Sequence, residues 1–418
     1  MTPPAPKHSA TPPAPLRVFP PCWGDHACGP AKPVPRRALG WVIAAAKPVP
    51  RRALGVALAA LLLTGCAGPA TGVGYYWQSA TGHLQLMRAA RPVDDWLQDA
   101  QTPVALKNKL ATAQRIRNFA VTDLALPDNA SYHRYADLKR RAAVYNVVAA
   151  PALSLTLNTW CFPVVGCVGY RGYFDEANAR VFAASLPPAL EVTVYPVPAY
   201  STLGWTNWLG GDPLLSTFIG YPEGELARLV FHELAHQVLY VKNDTAFNES
   251  FATAVERLGG ERWLKEHASE AARSDYAVFD ARRQQFRALT RSTRAALQAI
   301  YTADAVSDAD KLRRKAEVMR TFHADYAELK RSWGGFKGYD PWVAQANNAS
   351  FGAQAAYDDW VPGFQALFQR EGSDFARFYD AVRALSEQPR ETRHALLAEL
   401  GRATRLAGLA PPTPQPLR

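Results

Sequence analysis

With 418 residues, 48% of them apolar and 11% aromatic, the chain can bury a large core, as one big domain or two ordinary ones. The formal charge of +10 is local: residues 1–65 carry eight Lys/Arg against one acid, Asp25, which leaves +3 for residues 66–418. A body so close to neutral has no global attraction to phosphate backbones, so nucleic acid is excluded as the explanation of the charge.

The basic character belongs to a leader, residues 1–65. Arg51 and Arg52 precede an apolar run, Ala53 to Leu63, too short for an ordinary membrane-spanning helix. The run ends in Leu63-Thr64-Gly65-Cys66, which resembles the lipobox of bacterial lipoproteins. That resemblance implies lipidation of Cys66 and a mature chain tethered to the cell envelope. Ala67, where an Asp is missing, resembles lipoproteins sorted to the outer membrane and facing the periplasm. Upstream, the segment AKPVPRRALG at 31–40 recurs unchanged at 46–55, and 13 of the 32 prolines lie before residue 66. Such a stretch packs no core, and a duplicated or over-extended start is the expectation.

After a small, Gly-rich tether at 67–74, residues 75–148 read as mostly helical, with a break at Pro127-Asp128-Asn129. Residues 150–221 are rich in Pro, Gly, Tyr and Trp, with β-prone runs such as Glu191–Tyr195. Within them Cys161 and Cys167 stand six apart around turn formers. In an exported chain they are candidate disulfide partners, with buried free thiols as the alternative. Helix resumes at Glu223. Residues 262–333 read as a hairpin of two long amphipathic helices that breaks near Ser307-Asp308, its charges forming a solvated face. A last helical stretch ends before the Pro-rich tail at 411–418.

The chemistry concentrates at His232-Glu233-Leu234-Ala235-His236, an H-E-x-x-H motif. Residues four apart on a helix lie one above the other, so both imidazoles can reach one Zn²⁺. Glu233 is displaced round the helix, placed to take a proton from water without occupying the metal. Pro222-Glu223 begins this helix, and Leu226, Leu229, Val230, Ala235 and Val238 repeat at helical spacing. A second helix follows at Phe247, with Asn248-Glu249 at its entrance and Gly259-Gly260 expected to cap it, so that the zinc helices span about 223–259. A reverse turn between the two can bring Glu249 to the histidine pair, completing a His₂Glu site.

His232-Glu-Leu-Ala-His236-Gln237 followed by Asn248-Glu249-x-Phe251-Ala252 resembles the gluzincin metallopeptidases, above all the zinc aminopeptidases. More of the chain resembles a bacterial family of zinc aminopeptidases, many with lipoprotein leaders, through Trp160–Phe174, Ala199–Trp205 and Asn347-Asn348-Ala349. The resemblance implies Glu249 as third ligand and a peptide substrate. Two departures stand out. The loop of twelve residues between His236 and Glu249 is shorter than in the large aminopeptidases, which makes Glu256 a rival ligand; its other role is a hydrogen bond to a zinc histidine. The G-x-M-E-N segment that binds the substrate amine in those enzymes is missing.

The expectation is therefore an α+β, helix-dominated, zincin-like metallopeptidase domain over 66–418 with a long helical hairpin insertion, holding one Zn²⁺ on His232, His236 and Glu249, with Glu233 as general base. Tyr357 is the first candidate to stabilise an oxyanion, against an ordinary buried tyrosine. Tyr200–Trp205 is the candidate edge for an extended peptide, against a packing turn. His83, His133, His267, His323 and His394 read as isolated core or surface histidines. The rival function is a non-catalytic envelope lipoprotein that uses the zinc helices as a scaffold for partners. An intact Glu233 speaks against it, because a structural metal site needs no general base.

Overall fold

The computed structural model describes residues 72–162, 166–202 and 210–409. The leader with Cys66, residues 203–205 of the candidate peptide edge and the Pro-rich tail lie outside them. In order the elements are α1 (Gly72–Ala89), β1 (Ala90–Pro92), α2 (Val93–Gln98), α3 (Val104–Thr122), β2 (Arg134–Ala136), β3 (Val144–Pro151), β4 (Trp160–Phe162), β5 (Gly166–Val168), β6 (Arg171–Tyr173), α4 (Glu176–Ala184), β7 (Leu190–Val197) and β8 (Leu214–Leu215). Helices follow: α5 (Glu223–Val238), α6 (Thr245–Glu266), α7 (Glu270–Tyr301), α8 (Asp308–Ser332), α9 (Asp340–Ala344), α10 (Asn348–Asp358), α11 (Val361–Arg370), α12 (Phe375–Ser386) and α13 (Arg390–Leu409). This is a helix-dominated α+β protein with small sheets.

The expected helix up to residue 148 gives way to strands at β2 and β3. Val144–Ala150 is a β-branched and small-residue run, buried almost throughout, and it forms the centre of an antiparallel sheet ordered β6-β3-β7. Its register fixes Val147 opposite Val194 and Tyr145 opposite Pro196, leaving β7 as an edge strand. A second sheet, β1-β2-β8, pairs β2 with β8 in parallel.

The main core is built around α5 and α6, packed against α3, α11 and α12. Residues 247–255 of α6 are buried on every side, which marks it as the central helix. Gly259-Gly260 does not end α6, contrary to expectation. A Cβ at Gly260 would meet the Arg228 side chain at 2.6 Å, and one at Gly259 would meet Leu124 at 2.6 Å and Phe231 at 3.0 Å, so these glycines serve close packing. The helix runs on to Glu266 and stops at His267.

The hairpin α7–α8 breaks where expected, with Ser307 accepting a hydrogen bond from the Asp310 N–H as N-cap. It is not solvated throughout. Phe286, Leu297, Phe322 and Tyr326 share a core with Trp342 and Phe351. Polar ties dock it: the Tyr301 hydroxyl donates to Asn348 at 2.8 Å, and Lys315 pairs with Glu191. Asn348 also donates to the carbonyls of Pro151 and Ala152, so the Asn-Asn-Ala segment staples α10 to the sheet.

Candidate metal and catalytic site

Helix α5 stacks Arg228, His232 and His236 at four-residue intervals, and the latter two point their Nε2 atoms at one spot, 3.2 Å apart. Glu249 arrives from the first turns of α6. Its Oε2 lies 3.3 Å from the His232 Nε2 and 3.6 Å from the His236 Nε2. The same three atoms thus form a nearly equilateral triangle. Tetrahedral zinc with bonds of about 2.1 Å has edges of about 3.4 Å between ligand atoms, so the spacing fits that ion. All three side chains are buried. His232, His236 and Glu249 form a cluster that can hold a metal ion.

What brings Glu249 there is local. The Asn248 side chain donates to the Val241 carbonyl and accepts from its N–H, both at 2.8 Å, clamping the short connection between the helices. Asp244 caps α6 by accepting from the Phe247 N–H, and its carboxylate is held by Arg393 and His394. Asn243, with φ of 63°, accepts from the Cys167 N–H at 2.7 Å. That ties the loop to the β4–β5 hairpin, in which Cys161 and Cys167 are joined by a disulfide.

Glu256 is not among the clustered donor atoms. It lies on the other nitrogen of the same imidazole, 3.0 Å from the His232 Nδ1, where it accepts the Nδ1 proton and leaves Nε2 as the lone pair that faces the cluster. Arg228 holds the far oxygen of Glu256. Behind it runs a buried charge chain: Arg283 from α7 grips Glu225 with two hydrogen bonds of 2.8 and 2.9 Å, and Arg228 and Arg283 both donate to the Tyr276 hydroxyl at 3.0 Å. The site is built for positive charge. Burial alone would lower the pKa of His232, but Glu249 and Glu256 raise it well above its ordinary value. Burial would likewise raise Glu249, yet the two histidines pull it down to about 2.

Glu233 sits beside the cluster, half-buried, where its pKa is raised. Burial is the main cause. His232 and His236 oppose it, and Glu249 adds to it. A carboxylate pushed up in this way is a better proton acceptor than an ordinary one. Sequence reasoning missed two neighbours. Tyr170 is coupled to the charges of both Glu249 and Glu233, and buried Tyr132 to Glu233 and Asp212. Tyr170 lies within the resembling stretch Trp160–Phe174, but nothing there singles it out, and no local signal marks Tyr132; both come from a loop and a strand border far from α5. Arg228 and Glu225 were findable, since they precede His232 by four and seven residues on one helix face.

A cavity of about 210 Å³ opens onto His232 and Glu233. One wall is the end of the edge strand β7 with the following turn: Tyr195, Val197, Pro198 and Ala199. Tyr357 lines it too, its ring stacked on His232 at 6.1 Å and 24°. The strand edge at the site is therefore β7 through residue 199. Tyr200 beyond it packs against His83 and Phe174 instead. Of the remaining histidines, His394 pairs with Asp244, and His267 stacks on Trp263.

The helix pair α5–α6 thus gathers two imidazoles and a carboxylate into a cluster that can hold a metal ion, with His232 and Glu233 on the wall of the adjoining cavity. The chain belongs to the family described as "Putative aminopeptidase", whose model matches residues 74–397. No curated protein and no solved structure gives a significant match.

Proposed function

We propose that the protein is a zinc-dependent peptidase, an aminopeptidase by its family, in which His232, His236 and Glu249 hold one Zn²⁺. The observation that carries this reading is the triangle of 3.2, 3.3 and 3.6 Å among three buried donor atoms, with Glu233 at its side. Zinc at such a site supplies Lewis acidity, which polarises a peptide carbonyl and makes water more acidic. The protein's own groups do the rest. Glu233 takes the proton from the attacking water and delivers it to the leaving amine. Glu256 keeps His232 oriented through its Nδ1, and Arg228 keeps Glu256 charged. Tyr357, on the cavity wall, is the proposed donor to the developing oxyanion. An extended peptide would run along the outer edge of β7 towards residue 199, beyond Val192, whose carbonyl accepts from Asn347.

Over its whole length the chain is, on this proposal, a zincin-like domain over 66–418 with the α7–α8 hairpin as insertion, lipid-anchored through Cys66 in the bacterial envelope. No described helix is long and apolar enough to cross a membrane, which is compatible with a lipid as anchor. Mass spectrometry of the mature N-terminus tests Cys66.

The deciding experiment is Glu233→Gln. The variant should bind zinc and fold like the wild type, yet lose turnover of peptides by about 10²–10⁴-fold, in kcat more than in KM. Wild-type hydrolysis that persists undiminished in the fully zinc-loaded variant would remove peptidase chemistry from this site. A scaffold function predicts no hydrolysis by either protein.

A further inference from the structure

Three arginines line the cavity beside the candidate metal site, and they are not equivalent. Arg228 is spent on Glu256 and Tyr276, and Arg283 on Glu225, Asp280 and Tyr276. The guanidinium of Arg287, one turn after Arg283 on α7, makes no hydrogen bond with any described residue, although it offers five N–H donors. Its single ion pair is to Asp358 Oδ1 at 3.3 Å, and that oxygen already receives a hydrogen bond from Arg257 at 2.8 Å. One carboxylate is thus shared between two cations, while the Arg287 side chain, 18% exposed, reaches the cavity.

The acids of the cavity show the opposite. Glu225 is gripped by Arg283 and Glu256 by Arg228 and His232, so among the described residues no carboxylate of the wall other than Glu233 is left to receive a substrate amine. On its other side Arg287 borders a groove lined by six basic residues and two acidic ones, which adds to the positive field. A partly desolvated guanidinium with unspent donors and incomplete charge compensation is a receptor for a planar anion, and the matching group on a peptide is a carboxylate.

We infer that Arg287 binds a carboxylate of the peptide substrate, so that the site selects short peptides whose C-terminus, or whose acidic side chain, reaches α7 from the bond being cut. This rests on the peptidase reading above. It gives the cavity a polarity, with the scissile bond at Glu233 and the anionic end at Arg287.

The test uses the zinc-loaded protein and one family of short alanine peptides: the free acid, its C-terminal amide, and an amide carrying one Glu. The expected result is a kcat/KM at least about tenfold higher for a carboxylate-bearing peptide than for the plain amide, carried by KM. Preference for the free acid identifies the terminus, and preference for the Glu amide identifies a side chain. Arg287→Ala should collapse that ratio towards one, and Arg287→Lys should keep part of it, since a point charge lacks the fork. Zinc content and melting temperature matched to the wild type certify that both variants fold. Equal rates for all three peptides in the wild type, or a ratio unchanged in Arg287→Ala, overturn the inference and leave the peptidase reading standing. If no peptide is cleaved, the Glu233→Gln protein decides by calorimetry: binding of neither carboxylate-bearing peptide tighter than of the plain amide overturns the carboxylate site by itself.

Discussion

Glu249 and Glu256 differ by seven residues and by one nitrogen of His232. On α6 they lie two turns apart on one face, and the imidazole between them is approached from both sides: Nε2 by Glu249, Nδ1 by Glu256. The two carboxylates therefore have different jobs, and substitution should separate them. Glu249→Ala removes a donor atom and should abolish zinc binding at micromolar metal. Glu256→Gln leaves all three donors and should weaken zinc by about 10–100-fold, since the histidine loses its charged partner. It also strands the buried Arg228, so a lower melting temperature should accompany the loss. Competition with a chromophoric chelator measures both. Zinc lost in Glu256→Gln and kept in Glu249→Ala would reverse the assignment. At this scale much was legible in the sequence. The i, i+4 pair of histidines is a local pattern that one helix fixes, and Asn248-Glu249 announces itself by its context. What stayed hidden came from elsewhere in the chain: Arg283 meets Glu225 across 58 positions, and no spacing rule reaches that far.

The element that sets Glu249 is the start of α6, and its anchor is Asp244. This carboxylate is fully buried and bonded to Arg393 and His394 from α13, and it caps the helix through the Phe247 N–H. Burial by itself would raise its pKa, but His394 and Arg393 hold the anion and lower it below the usual 3.8. The sign follows. A folded pKa below the unfolded one means that the contribution to stability is complete above about pH 4 and is lost as pH falls through the folded value. Asp244→Asn keeps a capping oxygen but removes the charge, and it should cost about 3 kcal/mol at pH 6. That gap between variant and wild type should narrow on going to pH 3. Denaturant melts at the two pH values check it, and a gap of constant size would show that charge pairing is not what Asp244 provides. Element boundaries were less readable than residues. Val144–Ala150 mimics a helix because its apolar run has no alternation, which is what burial on both faces of a central strand produces. Gly259-Gly260 mimics a stop because the same residue type serves helix ends and close helix packing, and only the partner, Arg228, tells them apart.

On the scale of the whole molecule, the candidate metal site is not an appendage. Its ligands sit on α5 and α6, the two helices around which the main core is assembled, and the hairpin α7–α8 reaches the same site through Arg283. The sequence revealed the helices and the hairpin but not how they meet, because the ties that dock the hairpin, such as Lys315 to Glu191 and Tyr301 to Asn348, join segments that neither periodicity nor composition relates. This placement has a thermodynamic consequence. A ligand that binds only the folded state stabilises it by RT ln(1 + [L]/Kd), about 4 kcal/mol at a thousandfold excess over Kd. If zinc bridged two loosely held segments, its removal would free them locally and leave the main melting transition in place. Bridging the central helices, it should instead shift global unfolding. The purified protein stripped with a chelator is expected to melt several degrees below the zinc-loaded form, with the transition rising as zinc is added back. His236→Ala should melt low and show no response to zinc, while Glu233→Gln should respond like the wild type, since it keeps every donor atom. A wild-type transition indifferent to zinc across a thousandfold range of concentration would mean that no ion links α5 to α6, and the reading of the triangle as a metal centre would fall with it.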